Sequence, residues 1–199
     1  VGTGATSDEK LAFIEEHIAT IPGDIIEIGC YKGSTTHRLV PMADRLACKV
    51  HACDSFIGMD KQTDKDSGNY PKGKFDVGGV EGFQKLMLDR YNVEPQRYHC
   101  HEGYIPECLE KCENFILDKI GKPPLFRFCY LDVDVYMPTM IGLSWVWPKL
   151  STGGLLMIDD VFVGRETDAS LAVSEWMESS GDVLDVVGFE NNQLIVVKK

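Results

Sequence analysis

Apolar and polar positions along the chain alternate between two rhythms. Leu11, Ile14 and Ile18 recur at helical spacing behind Thr6 and Glu9, a T-x-x-E capping pattern, and predict a first helix that Ile21, Pro22 and Gly23 end. Short apolar runs at 25–28, 50–53, 97–101, 126–131 and 155–158 predict buried strands. Helical signals lie between them, after Gly33, over 81–91 and 105–120, and again from Pro138 onward. Gly121, Pro123 and Pro124 stop the helix over 105–120, and Gly153-Gly154 is expected to turn the chain into the run 155–158. A helix over 168–179 and a closing hairpin, 183–187 with 193–197 around Gly188 and Asn191-Asn192, complete the pattern. Strands that alternate with helices predict an α/β fold, Rossmann-like, with a mostly parallel central sheet, helices on both faces and an antiparallel hairpin at the C-terminal end.

The chemistry gathers where strands end. The runs 126–131 and 155–158 each lead into a pair of carboxylates, Asp132 with Asp134 and Asp159 with Asp160. In a strand, helix, strand unit the two strands are parallel, so their carboxyl ends share the sheet edge where open α/β sheets bind ligands. Four aspartates at one edge repel unless a cation sits among them, and a hard divalent ion such as Mg²⁺ prefers carboxylate oxygen. Acids that are merely solvated strand ends are the plainer alternative.

A second site follows the strand 25–28. Glu27, Gly29 and Gly33 give the spacing E-x-G-x-x-x-G, with Cys30 and Tyr31 inside the loop and Ser34 or Thr35 placed to cap the next helix. The dinucleotide fingerprint G-x-G-x-x-G is broken. The strand 50–53 then ends in Asp54 and Ser55, where a Rossmann-like fold places the acid that accepts ribose hydroxyls. Glu102 and Gly103 close the strand 97–101, at the end expected to flank an adenine.

Composition narrows the class. The 199 residues are 44% hydrophobic and 26% charged, as in one globular domain spanning 1–199. A net charge of −11 without a basic cluster argues against nucleic acid, and the absence of a long apolar run argues against a membrane span. With a start that is no signal peptide, a cytoplasmic protein is expected. Seven cysteines make an odd count and are expected to be reduced. His99, Cys100, His101, Cys108 and Cys112 lie close in sequence, but their spacing matches no standard zinc pattern. The charged, glycine-rich segment 57–80 reads as a lid or substrate loop, with Tyr70 and Phe75 as its aromatic contacts.

Five ordered blocks, PGDIIEIGCYKGSTT, ACDSFIGM, LDVDVYMPT, KLSTGGLLMIDDV and LAVSEW, together resemble the macrocin O-methyltransferase (TylF) family from about residue 22 to the C-terminus. The resemblance implies a class I methyltransferase that uses S-adenosyl-L-methionine and a divalent metal, usually Mg²⁺, to methylate a hydroxyl of a sugar or other small natural product. It implies metal ligation by Asp132, Asp159 and Asp160, general base catalysis by Asp134, and cofactor contacts from Glu27, Gly29, Cys30, Tyr31, Gly33, Ser34, Thr35, Asp54, Ser55, Glu102, Gly103 and Asp132. The partner expected is a small hydroxylated acceptor, and a homo-oligomer is compatible with the chain. Few residues precede the glycine loop, where members of the family carry helices that cover substrate. Two other enzyme classes claim parts of the same stretch. CYLDVDVY is similar to the nucleophile motif of haloacid-dehalogenase-type phosphatases, with Asp132 as nucleophile and Asp134 as acid. LLMIDDVFVGRET is similar to the phosphoribosyltransferase diphosphate motif but lacks its threonines. A non-catalytic binding protein on the same fold is the third alternative.

Overall fold

Apolar strands of four to nine residues, each set off by glycine, proline or acid, pair into one sheet in the computed structural model. It describes residues 7–60, 66, 70–162, 167–180, 185–190 and 192–199. The strands are β1 (Asp24–Ile28), β2 (Val50–Asp54), β3 (His99–Glu102), β4 (Phe126–Leu131), β5 (Leu150–Ile158), β6 (Asp185–Glu190) and β7 (Gln193–Val197). Their order is β3-β2-β1-β4-β5-β7-β6. The first five are parallel, and β7 runs antiparallel between β5 and β6.

Period-two alternation sends successive side chains to opposite faces, and each face is covered by three helices. Ile25, Val50, Ala52, Phe128, Tyr130, Leu155 and Met157 pack against α1 (Asp8–Ile18), α2 (Thr36–Arg45) and α3 (Gly79–Tyr91). Ile26, Ile28, Cys53, Cys129, Leu131, Leu156 and Ile158 pack against α4 (Glu107–Ile120), α5 (Tyr136–Val146) and α6 (Asp168–Ser180). Each large aliphatic or aromatic side chain buried in this way is worth roughly 1.5–3 kcal/mol. Because β1 is flanked by β2 on one side and β4 on the other, the chain direction reverses across the sheet at β1/β4. That is the switch point at which such sheets open a crevice beyond their carboxyl ends.

Four sequence expectations shift by a local cause. The cap of α1 is Ser7, whose Oγ accepts from the Lys10 amide at 3.2 Å, and Thr6 lies outside the described residues. Strand β3 begins at His99 because Pro95–Arg97 winds into a 3₁₀ turn first. Gly153 and Gly154 do not turn into β5 but lie within it. Gly153, with φ 79°, forms an irregularity at which Phe126 pairs with Leu150 and Phe128 already pairs with Leu155. Gly188 likewise lies in β6 rather than in the hairpin turn, and 183–184 fall outside the described residues. Pro138 sits in the first turn of α5, where a missing N–H costs nothing. All seven cysteines are free thiols, and among the described residues no helix is long and apolar enough to cross a membrane.

Candidate active site

Where β1 ends, Gly29 adopts φ 90°, and a Cβ built there would lie 1.7 Å from the Asp132 carbonyl oxygen. Only glycine lets the loop pass that close to the end of β4. The Gly29 amide bonds to the Cys53 carbonyl at 2.9 Å and the Asp132 amide to the Ile28 carbonyl at 2.8 Å, so the three strand ends are laced together. Asp54, at the end of β2, organises the loop: its Oδ2 accepts from the amides of Cys30 at 2.6 Å and Tyr31 at 3.0 Å, and its Oδ1 from the Phe56 amide at 2.8 Å. Ser55 donates its hydroxyl to the Gly58 carbonyl at 2.7 Å and so bends the chain away after β2. Gly33, at φ 74°, has a different task. A Cβ there would strike Met87 Sδ at 2.3 Å, so this glycine seats α3 and is absent from the cavity wall. Thr35 sits at the N-cap of α2 without a side-chain cap bond. Thr36 instead donates its hydroxyl to Glu27, a buried carboxyl that desolvation pushes up to about 8 against that bond, with the Asp54 charge adding to the rise.

The other half of the site is crowded with acid. Asp132, Asp134 and Asp160 each bring a carboxylate oxygen within 4.8 Å of the others. Asp134 (φ 63°) and Asp160 (φ 58°) both hold left-handed backbone, a conformation that costs a non-glycine residue on the order of 1 kcal/mol and gathers at functional sites. Burial, then the charges of Asp159, Asp134 and Asp160, hold Asp132 well above the carboxylate range. Burial also raises Asp134, and burial with the Asp134 and Asp159 charges pushes Asp160 up to about 6. Tyr70 donates its hydroxyl to Asp134 Oδ1 at 3.3 Å, and the Lys74 ammonium lies 4.2 Å from the Tyr70 ring centroid.

Asp159 borders this group, sharing the Tyr130 hydroxyl with Asp132. Its carboxylate is turned to Tyr130, which donates its hydroxyl, and to Gln193 Nε2 at 3.2 Å, while its Oδ1 accepts from the Asp160 amide at 2.9 Å. The structure therefore gathers Asp134, rather than Asp159, with Asp132 and Asp160. Gln193 is in turn fixed by the buried Lys10 ammonium, 2.7 Å from its Oε1. Sequence reasoning missed Lys10, Tyr130 and Gln193. Only Tyr130, a hydroxyl inside an apolar strand, carried a signal; β7 had to be known to lie beside β5 before Gln193 had meaning.

Both halves open into one cavity of about 1080 Å³. Glu27, Gly29, Cys30, Tyr31, Ser34, Thr35, Asp54, Ser55, Gly103, Asp132, Asp134, Asp159 and Asp160 line it, whereas Glu102 points elsewhere and holds Lys111 through its carbonyl. Phe75 reaches the wall and packs edge-on against Tyr31, with ring centroids 5.0 Å apart. Residues 61–65 and 67–69 of the expected lid lie outside the described residues. The donor set of Asp132, Asp134 and Asp160 is all oxygen, which fits a hard divalent cation.

The strand order, with a glycine loop after β1 and an acid after β2, is that of the class I methyltransferase fold. Solved structures agree: the O-methyltransferase NovP matches with a TM-score of 0.75 at 16% identity, over 96% of this chain and 80% of that one. CalS11, a calicheamicin methyltransferase, matches at 0.69 and 16% identity over the same shares, 96% and 80%. The sequence profile of the macrocin-O-methyltransferase (TylF) family matches residues 7–182, and the chain belongs to that family. Among curated relatives, the Streptomyces olivaceus 8-demethyl-8-(2,3-dimethoxy-alpha-L-rhamnosyl)-tetracenomycin-C 4'-O-methyltransferase is 25% identical over 154 residues, 75% of this chain and 57% of that protein. The Micromonospora griseorubida mycinamicin III 3''-O-methyltransferase is 27% identical over 154 residues, 70% of this chain and 56% of that protein. The chain thus spans little more than half the length of these relatives.

Proposed function

We propose that the chain is an S-adenosyl-L-methionine-dependent O-methyltransferase acting on a hydroxyl of a sugar or other small natural product, with a divalent cation, Mg²⁺ in the first instance, assisting. The observation that carries this reading is the single cavity that joins the Gly29–Asp54 half to the Asp132–Asp134–Asp160 half. At about 1080 Å³ it exceeds the few hundred cubic ångströms that one small ligand fills, leaving room for a nucleoside cofactor beside an acceptor. Membership of the TylF family and the sugar-linked substrates named for its relatives support the same class of acceptor. In this reading 1–199 is one catalytic domain and 57–80 its substrate loop.

The residues divide the work. Gly29, Cys30, Tyr31, Ser34 and Thr35 hold the cofactor along the loop, and Asp54 accepts from ribose hydroxyls, exchanging or sharing the amide bonds it now receives from Cys30 and Tyr31. S-adenosyl-L-methionine supplies an electrophilic methyl group. Asp132 and Asp160 would hold the cation with one oxygen of Asp134, while Tyr130, Gln193 and Lys10 keep Asp159 packed behind them. A bound cation supplies the positive charge that makes a hydroxyl proton acidic near neutral pH. Asp134 takes that proton with its remaining oxygen, as general base. Orientation of the acceptor against the methyl group by the cavity walls supplies much of the remaining rate.

Among the described lining residues there is no lysine, arginine or histidine. A phosphate or diphosphate group would find no basic side chain among these residues, whereas the Gly29–Asp54 half has the form of a nucleoside site, so methyl transfer is favoured over the phosphatase and phosphoribosyltransferase readings. The test is transfer of labelled methyl from S-adenosyl-L-methionine to a panel of neutral glycosides, with Mg²⁺ and with chelator. Metal-dependent labelling of a hydroxyl supports the reading; release of phosphate from phosphomonoesters with no labelled product would overturn it.

A further inference from the structure

On the face covered by α4, away from the carboxylates, three buried side chains from three elements converge. His51 of β2, His101 of β3 and Cys112 of α4 each bring a ligand atom within 4.8 Å of the others, and their exposures are 2%, 5% and 0%. The register pairs His51 with His99 and Cys53 with His101, so His51 and His101 are diagonal neighbours on one face of the sheet. His51 Nδ1 lies 3.0 Å from His101 Nε2, although two imidazoles facing nitrogen to nitrogen have only one proton to share between them. Zinc–nitrogen bonds of about 2.0–2.1 Å in a tetrahedral shell set two nitrogens roughly 3.3 Å apart, so admitting a zinc ion asks the rings to part by only a few tenths of an ångström.

The surroundings have the form of a metal's outer shell. The far nitrogen of His51, Nε2, faces Asp24 Oδ2 at 3.4 Å, and the other oxygen of Asp24 accepts from the Lys49 amide at 2.8 Å. A carboxylate behind a ligating histidine fixes its tautomer and orientation. Cys53, on the same face of the sheet, donates its thiol to the Cys108 carbonyl of α4 at 4.0 Å.

We propose that His51, His101 and Cys112 form a structural zinc site that staples β2 and β3 to α4. Two imidazoles and thiolate sulfur suit zinc and not magnesium, so this site and the oxygen-only cluster select different ions. The histidines and Cys112 do not line the cavity, which makes the role structural. Its consequence is positional: β2 ends in Asp54 three residues beyond His51, and Gly103 follows β3 two residues beyond His101, so the staple fixes the edge that holds the cofactor half of the cavity. Sequence spacing alone argued against zinc because it set His99 to Cys112 in one group and left out His51, which only the pairing of β2 with β3 brings in.

The experiment is zinc content of the full chain purified with zinc and dialysed, followed by replacement with Co²⁺. About one zinc per chain, and a thiolate-to-cobalt charge-transfer band in the near ultraviolet, are expected. Asp160→Asn should keep both, as should the double variant Cys48→Ser, Cys100→Ser, whereas Cys112→Ser should lose the band. The wild-type spectrum decides the matter even where Cys112→Ser does not fold. No retained zinc and no thiolate band would overturn the proposal and leave a proton-sharing imidazole–thiol network. A band that persists in a folded Cys112→Ser chain would overturn it equally.

Discussion

Asp54 and Asp160 follow strands of the same sheet and face the same cavity, yet their surroundings are opposite. Asp54 receives three backbone amides, from Cys30, Tyr31 and Phe56. Asp160 sits in left-handed backbone against Asp134 and Asp132, and crowding with burial pushes its carboxyl up to about 6. The difference teaches that position at a strand end does not assign a carboxylate its role. Amides aimed at an acid prepare it to accept neutral hydroxyls, while acids aimed at one another prepare a place for a cation.

The change that should break the comparison most severely is Gly29→Ala, since Gly29 lies between the two halves. With φ 90° and a Cβ 1.7 Å from the Asp132 carbonyl oxygen, the backbone must move, and a loss of about 3 kcal/mol or more in unfolding free energy is expected by denaturant titration. Asp160→Asn should next separate the halves cleanly. It should lower metal-dependent methyl transfer by about 100-fold or more while S-adenosylhomocysteine affinity, read by calorimetry, stays within about threefold. Asp54→Asn should do the reverse, weakening S-adenosylhomocysteine by about tenfold, the worth of one or two charge-assisted hydrogen bonds, with metal affinity little changed.

Near pH 5 the smallest effect expected is that of Glu27→Gln, and it grows with pH. Glu27 is an acid whose folded value, about 8, stands above its ordinary 4.5, so between those limits the folded chain holds a proton that the unfolded chain has lost. Stability must then fall as pH rises from about 4.5 to about 8 and level off above. Glutamine keeps an acceptor for the Thr36 hydroxyl without that proton linkage. Thermal unfolding should therefore show the variant's advantage growing from pH 5 to pH 8; an advantage that does not change with pH would show that Glu27 is ionised in the folded chain.

Much of this arrangement was legible in the sequence, for a physical reason. An apolar run followed by acid, or by glycine and then acid, places backbone and chemistry within one local stretch, so the ends of β1, β2, β4 and β5 could be read directly. The division of labour could not. Whether Asp134 or Asp159 joins Asp132 depends on backbone turns at Asp134 and Asp160 and on the bonds of Asp159 to Tyr130 and Gln193, and those contacts link the ends of β4, β5 and β7. Gly153-Gly154 carried the letters of a turn but answered to a ladder with β4 that tolerates the irregularity inside a strand. His51 was silent for the same reason, and His101 and Cys112 stood in a group whose spacing matched no zinc pattern, because only the sheet brings the three together.

The central claim is that one cavity holds a nucleoside cofactor in one half and a cation in the other, and calorimetric titration of the purified chain with S-adenosyl-L-methionine and S-adenosylhomocysteine, each with Mg²⁺ and with chelator, tests it most directly. The account predicts binding of both nucleosides with and without metal, together with a distinct heat of Mg²⁺ binding that Asp160→Asn abolishes. Absence of nucleoside binding under every condition would contradict it.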